Sequence, residues 1–301
     1  AYQTRSVQVV DYLINLAKET KKTIPIRLVK GAYWDTEIKR AQDLGLESYP
    51  VFTVKEYTDL NYLACAERML KNNDVIYPQF ATHNAVTAAT IIEIAGDKKF
   101  EFQKLYGMGD ALHEELSKHR SVRIYSPVGA THDLLAYLMR RLLENGASAN
   151  FISKVNSPSL KIEELVFDVR DEVISLLDHE SRVGLPENIY SDRKNAMGYD
   201  LGYKSKFEYI YEKVSSYFDR VYNIGSIING KEIISDKHNI EGFCPAKKAE
   251  KFFSYSNAVE SEIKLALDVA SAEFKKWTQL DVEKRAVILE KIAALFEDNK
   301  F

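Results

Sequence analysis

Short apolar runs alternate with amphipathic segments over the first 150 residues, and this alternation predicts an α/β fold. The predicted strands cover 23–31, 75–84, 100–107 and 121–125. The predicted helices, with apolar positions at helical spacing, cover 4–20, 36–44, 59–70, a stretch ending near 95, 110–118 and a final segment that begins at 131. Since strands regularly separated by helices pair in parallel with right-handed crossovers, we expect one parallel sheet.

Beyond about residue 150 the pattern changes. A turn-rich, polar stretch predicts a connector that contains a helix over 162–177. A helix over 207–218, a hairpin or edge strand over 224–230, and two amphipathic helices over 258–276 and 282–297 follow. The last two helices have no predicted sheet to pack on. We therefore expect this region to be the start of a second domain whose remainder is absent.

Composition narrows the class of protein. The chain has 301 residues, of which 46% are hydrophobic, and 41 Lys plus Arg against 44 Asp plus Glu give a net charge of -3. This balance argues against nucleic-acid binding by this segment. Cys65 and Cys244 lie far apart and form no metal or redox spacing. This cysteine usage argues against a disulfide scaffold, and we expect a reducing cytoplasm. No apolar run approaches the roughly 20 residues that span a bilayer.

Two adjacent arginines, Arg140 and Arg141, give the first indication of a binding site. Tyr137, Arg140, Arg141 and Glu144 fall at i, i+3, i+4 and i+7, which places them on one stripe of a helix that Gly146 would end. A separate apolar stripe is formed by Leu135, Leu138 and Leu142. Two guanidiniums beside a phenol suit a small carboxylate, which arginine grips with two parallel hydrogen bonds. The alternative is a solvated face with an Arg140–Glu144 ion pair.

Polar or aromatic side chains also follow each predicted strand, where ligands bind in parallel α/β folds. They are Arg27, Lys30 and Tyr33 after the first strand, Gln79, Thr82, His83 and Asn84 after the second, Leu105 after the third and Tyr125 after the fourth. Gly107 and Gly109 are too few glycines for a dinucleotide fingerprint.

Four segments then show a family resemblance. Residues 27–34, 49–55, 77–84 and 137–146 resemble proline dehydrogenase, and more narrowly the flavin domain of the bifunctional proline utilization A proteins. The resemblance is dense from residue 1 to about 155. Residues 198–201 resemble the linker of those proteins, and 277–296 resemble the opening helix of their aldehyde dehydrogenase half. Cys244-Pro245 stands where that family usually has Asn-Pro.

The resemblance implies the C-terminal half of a (β/α)8 TIM-like barrel that holds FAD. It divides the chain into a partial barrel (1–155), a linker (156–203) and a truncated N-terminal part of an aldehyde dehydrogenase-like domain (204–301). It also implies oxidation of L-proline to 1-pyrroline-5-carboxylate, with electrons passed to a quinone by a protein peripheral to the inner membrane. NAD would belong only to the absent remainder of the second domain.

The resemblance also implies a role for individual residues. The implied catalytic residues are Arg27, Tyr125, Arg140 and Arg141. Those implied to bind proline are Tyr33, Leu105, Tyr125, Tyr137, Arg140 and Arg141. Those implied to bind FAD are Arg27, Val29, Lys30, Gly31, Ala32, Trp34, Thr53, Lys55, Gln79, Ala81, Thr82, His83, Asn84 and Glu144.

Two alternatives stay open. Only about four strands are predicted where a barrel of this class has eight, so the segment alone is expected to be inactive. One alternative is therefore a split or degraded gene product that acts only as an association partner, for a complementary chain or for a second copy. The family's first strands, with a lysine and an aspartate of its site, would precede Ala1. The other alternative is a Schiff-base lyase that uses Lys30 on an anionic substrate.

Overall fold

The computed structural model describes residues 1–141, 168–177, 181, 183–218, 220–234 and 239–301. The chain forms two compact units, Ala1–Tyr199 and Asp200–Phe301. The division between them falls inside the stretch for which the sequence predicted a linker.

The first unit is built around a four-stranded parallel sheet, with the strands in the order β1-β2-β3-β4. Its strands are β1 (Ile24–Leu28), β2 (Ile76–Ala81), β3 (Glu101–Leu105) and β4 (Ser121–Tyr125). Its helices before β4 are α1 (Ser6–Thr20), α2 (Trp34–Asp43), α3 (Lys55–Lys71), α4 (Ala85–Ala95) and α5 (Asp110–Ser117). This half of a TIM-like barrel confirms the predicted fold class.

The sheet has one apolar and one polar face, because side chains alternate along each strand. Leu28, Phe80 and Phe102 point to the helices and join a core with residues of α1, α3 and α4. The opposite face carries Arg27 on β1, which pairs in register with Gln79 on β2. On the same face, Gln79 is paired with Glu101, Ala81 with Gln103, and Leu105 with Tyr125.

Local signals explain where the helices around the sheet begin and end. α4 begins at Ala85 because the side chain of Asn84 accepts a hydrogen bond from the Thr87 amide at 2.9 Å. α1 ends at Thr20, and the next residue, Lys21, adopts the left-handed conformation. α3 begins at Lys55, four residues before the predicted start.

A further helix, α6, is described over residues 131–141. Leu135 and Leu138 are exposed there, so the predicted apolar stripe makes no buried face in the described residues. Leu142, Glu144 and Gly146 lie outside the described residues. α7 (Val169–Ser175) covers part of the helix predicted over 162–177, most of whose remainder is also undescribed, and a 3-10 turn follows at Pro186–Asn188.

The second unit combines helices with short strands. Its helices are α8 (Lys204–Ser215), α9 (Glu260–Gln279) and α10 (Val282–Asp298). Its strands are β5 (Tyr222–Ile224), β6 (Ser226–Ile228), β7 (Lys231–Ile233), β8 (Asn239–Cys244) and β9 (Lys247–Ser256). Of the helices described in both units, none is long and apolar enough to cross a bilayer.

The predicted hairpin is confirmed in this unit. β6 and β7 pair antiparallel through Asn229 and Gly230, both with positive φ, as a two-residue hairpin turn requires. The expectation that the final helices have no sheet to pack on is wrong, because α9 contacts β6. β8 and β9, which form a sheet with β5, were missed by the sequence.

Candidate active site

The polar face of the sheet is organised around a buried carboxylate, Glu101, which is 1% exposed. Arg123 donates to both of its oxygens, from Nε at 2.7 Å and from Nη2 at 2.8 Å. Gln103, Gln79 and Tyr77 donate further hydrogen bonds at 2.7, 3.0 and 3.2 Å. The hydrogen bonds from Arg123 are the main reason that the pKa of Glu101 lies below its usual value, so the group is ionised near neutral pH.

Arg27 connects this network to the carboxyl end of the sheet. Its Nε donates to Gln103 Oε1 at 2.6 Å, and its guanidinium carbon lies 4.6 Å from the centre of the Tyr125 ring. The hydrogen bond holds one edge of the guanidinium and the ring lies against its plane. Within the described part of the chain, the two Nη groups make no hydrogen bond.

Two lysines near the end of β1 share one carboxylate. Asp59 lies 2.5 Å from Lys30 Nζ and 2.9 Å from Lys55 Nζ. Burial lowers the pKa of Lys30, and the charge of Asp59 opposes that shift. Two ammonium groups thus face the single carboxylate that both contact, and the charges of Glu56 and Glu172 act on Lys55 as well.

The loop after β2 is held by short local contacts. The Asn84 amide donates to Thr82 Oγ1 at 3.1 Å, and His113 Nε2 lies 3.0 Å from the Thr82 carbonyl oxygen. The rings of His83 and His113 meet edge to face, with centres 5.6 Å apart. Burial lowers the pKa of His83, and the charges of Lys104 and Arg141 lower it further, so His83 is neutral at pH 7.

α6 brings its arginines to the ends of two strands. The guanidinium carbon of Arg140 lies 4.9 Å from the centre of the Tyr33 ring, just beyond β1. Arg141 lies over Tyr137 at 5.0 Å, and its charge acts on His83, just beyond β2. Arg140 Nε is buried and has no hydrogen-bond partner among the described residues. A buried donor of this kind is costly unless a ligand or water completes it.

The remaining predicted site residues lie around this centre with fewer specific contacts. Trp34 Nε1 donates to the Phe52 carbonyl at 2.8 Å, next to Thr53. Leu105 is 5% exposed at the end of β3. Gly31 has φ +124°, and a Cβ there would lie 1.9 Å from the Tyr2 ring. Val29 and Ala32 flank Lys30 and Gly31, and Ala81 ends β2. Glu144 lies outside the described residues.

Sequence reasoning missed several polar residues of this region. Glu101 and Gln103 alternate with Phe102 along one strand, and that alternation of polar and aromatic residues was the available signal. Asp59 and His113 lie on helices far along the chain from the lysine and the loop that they contact. The local sequence pattern does not predict the contacts of Asp59 with Lys30 or of His113 with Thr82.

Chemically, the site suits a ligand with both aromatic and anionic parts. Arg27, Lys30 and Lys55 supply positive charge along β1 and the start of α3. The Arg140–Tyr33 pair supplies a second positive centre beside an aromatic wall. The buried Nε2 of His83 adds another polar atom without a hydrogen-bond partner among the described residues.

Residues 1–154 match the family model described as proline dehydrogenase. The chain belongs to the proline dehydrogenase family. Residues 233–301 match the model of the aldehyde dehydrogenase family. The chain thus carries a proline dehydrogenase segment followed by the start of an aldehyde dehydrogenase segment.

The chain is similar to curated relatives that are named as bifunctional proteins. The chain is 39% identical to the bifunctional protein PutA of Salmonella typhimurium, over 99% of this chain and 24% of the relative. It is 45% identical to that of Rhizobium meliloti, over 67% of this chain and 17% of the relative. The chain therefore spans about a quarter or less of these relatives.

Solved structures of the family give the same result. A mutant of proline utilization A from Bradyrhizobium japonicum matches 99% of this chain and 28% of its own, with 38% identity and a TM-score of 0.72. The protein from Bdellovibrio bacteriovorus, inactivated by N-propargylglycine, matches 99% of this chain and 31% of its own, with 28% identity and a TM-score of 0.72.

Proposed function

We propose that this chain supplies the carboxyl-terminal half of a flavin-dependent proline dehydrogenase site, which oxidises L-proline to 1-pyrroline-5-carboxylate. The observation that carries the proposal is the meeting of the α6 arginines with the strand ends, through Arg140 on Tyr33 and Arg141 near His83. Membership of the proline dehydrogenase family supports it.

The cofactor side of the proposed site is the polar strand-end surface. FAD, when bound, would accept a hydride from the substrate carbon and pass the electrons to a quinone. Arg27 would face the redox-active ring, while Thr53 and Lys55 would reach the ribose or phosphates. The other residues proposed to line the cofactor are Val29, Lys30, Gly31, Ala32, Trp34, Gln79, Ala81, Thr82, His83, Asn84 and Glu144.

The residues present fit such a group. Positive charge from Arg27 and from the two lysines around Asp59 complements a diphosphate and an electron-rich ring. His83 is neutral and has a buried ring nitrogen without a hydrogen-bond partner among the described residues, so it can bond a cofactor atom without adding charge.

The substrate side consists of the arginine pair and an aromatic and aliphatic wall. Arg140 and Arg141 would clamp the proline carboxylate, because guanidinium groups bind carboxylates with two parallel hydrogen bonds. Tyr33, Leu105, Tyr125 and Tyr137 would enclose the ring. The clamp would fix the distance from the substrate carbon to the cofactor and thereby supply orientation.

The division of the chain and its setting are part of the same proposal. We assign 1–155 to the barrel segment, 156–203 to a linker and 204–301 to the start of the aldehyde dehydrogenase-like domain, which would use NAD once complete. We propose a cytoplasmic protein that approaches the inner membrane to reach its quinone. A complementary chain or a second copy would complete the barrel if no other part of the polypeptide does so.

The Schiff-base lyase remains a weaker candidate. Burial lowers the pKa of Lys30, which favours a nucleophilic amine. The contact with Asp59 favours the protonated form instead. Borohydride would trap a substrate on Lys30 if the lyase were correct, whereas the dehydrogenase predicts a bound flavin spectrum and no trapped adduct.

Replacing Arg141 tests the dehydrogenase proposal directly. In the complete natural protein, Arg141→Met should raise the dissociation constant for L-proline by 10-fold or more. The reason is that a hydrogen bond between charged groups contributes about 1.5–3 kcal/mol. The flavin content should stay at the wild-type level. Equilibrium dialysis and the absorbance of released flavin measure the two quantities.

Arg193→Met is a matched control, because Arg193 also stacks on a tyrosine, Tyr190, at 3.8 Å. It should leave both quantities unchanged. Equal loss of proline binding and flavin in Arg141→Met would indicate a folding role and contradict the proposal.

A further inference from the structure

Glu101 is a buried charge that the proposed function does not use. Its side chain is 2% exposed, and burying a carboxylate is costly unless hydrogen bonds compensate. Three donors reach its Oε1: Arg123 Nε, Gln103 Nε2 and Gln79 Nε2. Arg123 Nη2 and the Tyr77 hydroxyl reach its Oε2. Because both oxygens accept hydrogen bonds from several partners, the carboxylate is held in one orientation.

The ionised carboxylate also determines which way the Gln103 amide points. A carboxylate accepts hydrogen bonds and cannot donate them, so the NH2 group of Gln103 must face Glu101. The carbonyl oxygen of the same amide then faces Arg27 and accepts from its Nε at 2.6 Å. The negative charge of Glu101 therefore fixes the direction of both hydrogen bonds of the Gln103 amide.

We propose that Glu101, acting through the amide of Gln103, is a positioning residue that aims the guanidinium of Arg27 at the cofactor. The role of Arg27 at the cofactor rests on the proposed function. The hydrogen bonds that join Arg27 to Gln103 and Gln103 to Glu101 do not depend on it. Tyr125, against the plane of the guanidinium, completes the alignment. Arg123 balances the charge of Glu101 from the other side.

The proposal separates the charge of Glu101 from its shape. Glu101→Gln keeps the size but gives position 101 a donor as well as an acceptor. The Gln103 amide can then turn over and present its NH2 group to Arg27, which has no acceptor to offer. The guanidinium would lose its fixed direction without loss of any side-chain volume.

The decisive experiment measures the midpoint potential of the bound flavin in the holoenzyme. A cation beside the flavin ring stabilises its reduced, more negative form, so Arg27→Met should lower the potential. We expect Glu101→Gln to lower it in the same direction. Gln103→Met, which leaves Glu101 paired with Arg123, should do the same and serves if Glu101→Gln does not fold.

Tyr77→Phe is the matched control, since it removes a hydrogen bond from the same carboxylate but on the oxygen that Gln103 does not use. It should leave the potential at the wild-type value. In the Arg27→Met background, Glu101→Gln should not lower the potential further, because the lowering acts through the Arg27 guanidinium and the loss of a negative charge by itself raises the potential.

A wild-type potential in both Glu101→Gln and Gln103→Met, or a full additional shift in the double variant, would overturn the proposal. If Arg27→Met itself leaves the potential unchanged, or no flavin binds, the proposed placement of Arg27 at the cofactor has failed instead. The crystal structure of Glu101→Gln then decides: displacement of the Arg27 side chain supports the positioning role, and an unmoved side chain refutes it.

Discussion

At the residue scale, the His83 loop is fixed by a close approach of backbone to ring. Gly109 has φ +63°, and a Cβ there would lie 2.8 Å from Cδ2 of His83. Gly107 also has a positive φ, +80°, but a Cβ there would meet no atom within 4 Å. The two glycines therefore share a backbone requirement and differ in the contact with His83.

That difference gives the first prediction. Gly107→Ala should cost about 1 kcal/mol or somewhat more of unfolding free energy, from backbone strain alone. Gly109→Ala should cost more, because the His83 ring must also move. Urea unfolding measures the stability, and the His83 ring signals in NMR report the displacement. Equal losses of unfolding free energy in the two variants, with the His83 ring in its wild-type position, would show that the contact between Gly109 and His83 does not affect stability.

His113 gives a second prediction, in the pH dependence of stability. Burial lowers its pKa to about 4, and the charges of His83 and Lys104 act in the same direction. Between pH 6.5 and 4, His113 is therefore protonated in the unfolded chain but stays neutral in the folded chain. Stability should fall as pH falls through this range, by on the order of 3 kcal/mol from this group.

His113→Gln is the test of that sign. Its unfolding free energy should depend less steeply on pH between 6.5 and 4 than that of the wild type. Chemical denaturation at several pH values measures the slope. Identical slopes in the two proteins would show that His113 is protonated in the fold as readily as in the unfolded chain.

The sequence predicted part of the site and missed the rest for physical reasons. Arg27 and His83 were named because strand ends meet at one edge of a parallel sheet, and Arg140 because the doubled arginine falls on one stripe of a helix. Neither rule needs knowledge of distant contacts. Asp59 and His113 were missed because Lys30 and Thr82, which they contact, are distant in sequence. Such contacts depend on how helices pack.

At the element scale, the central strands are held by an aromatic group on the helix side. Phe100 meets Phe80 at 5.4 Å and Phe102 at 5.2 Å between ring centres, both edge to face. Phe80 and Phe102 are fully buried neighbours on β2 and β3. The polar network on the opposite face therefore rests on a rigid support.

Phe102→Ala should lower the unfolding free energy by about 3–5 kcal/mol, since it opens a cavity in this group. Ile124→Ala on β4 is the control: its side chain is 58% exposed, and the change should be within about 0.5 kcal/mol. Denaturant unfolding compares the two. A loss below 1 kcal/mol in Phe102→Ala would contradict the assigned support.

The strands of the first unit could be predicted because their apolar positions alternate with polar ones. β8 and β9 could not, since β9 reads Lys-Lys-Ala-Glu-Lys before its aromatic residues and its first four residues are exposed. A strand half without buried residues lacks the alternation of apolar and polar positions that identifies strands in a sequence.

At the scale of the whole molecule, the two units should respond differently to the cofactor. The candidate site lies at the ends of β1–β4, at the start of α3 and on α6, all within the first unit. A ligand stabilises only the state that binds it, by about 2.7 kcal/mol at a hundredfold excess over its dissociation constant. FAD should therefore slow hydrogen exchange in β1–β4 and leave β5–β9 unchanged. Uniform protection of both units would contradict this assignment.

The central claim is that an arginine pair on α6 recognises the carboxylate of the substrate beside a flavin bound at the strand ends. Anaerobic bleaching of the flavin absorbance by L-proline, compared with L-prolinamide, which keeps the amine but lacks the carboxylate, tests it most directly. The wild-type protein should prefer L-proline by about 100-fold or more, and Arg141→Met should lose most of that preference while keeping its flavin. Absence of a bound flavin, or an unchanged preference in Arg141→Met, would contradict the account.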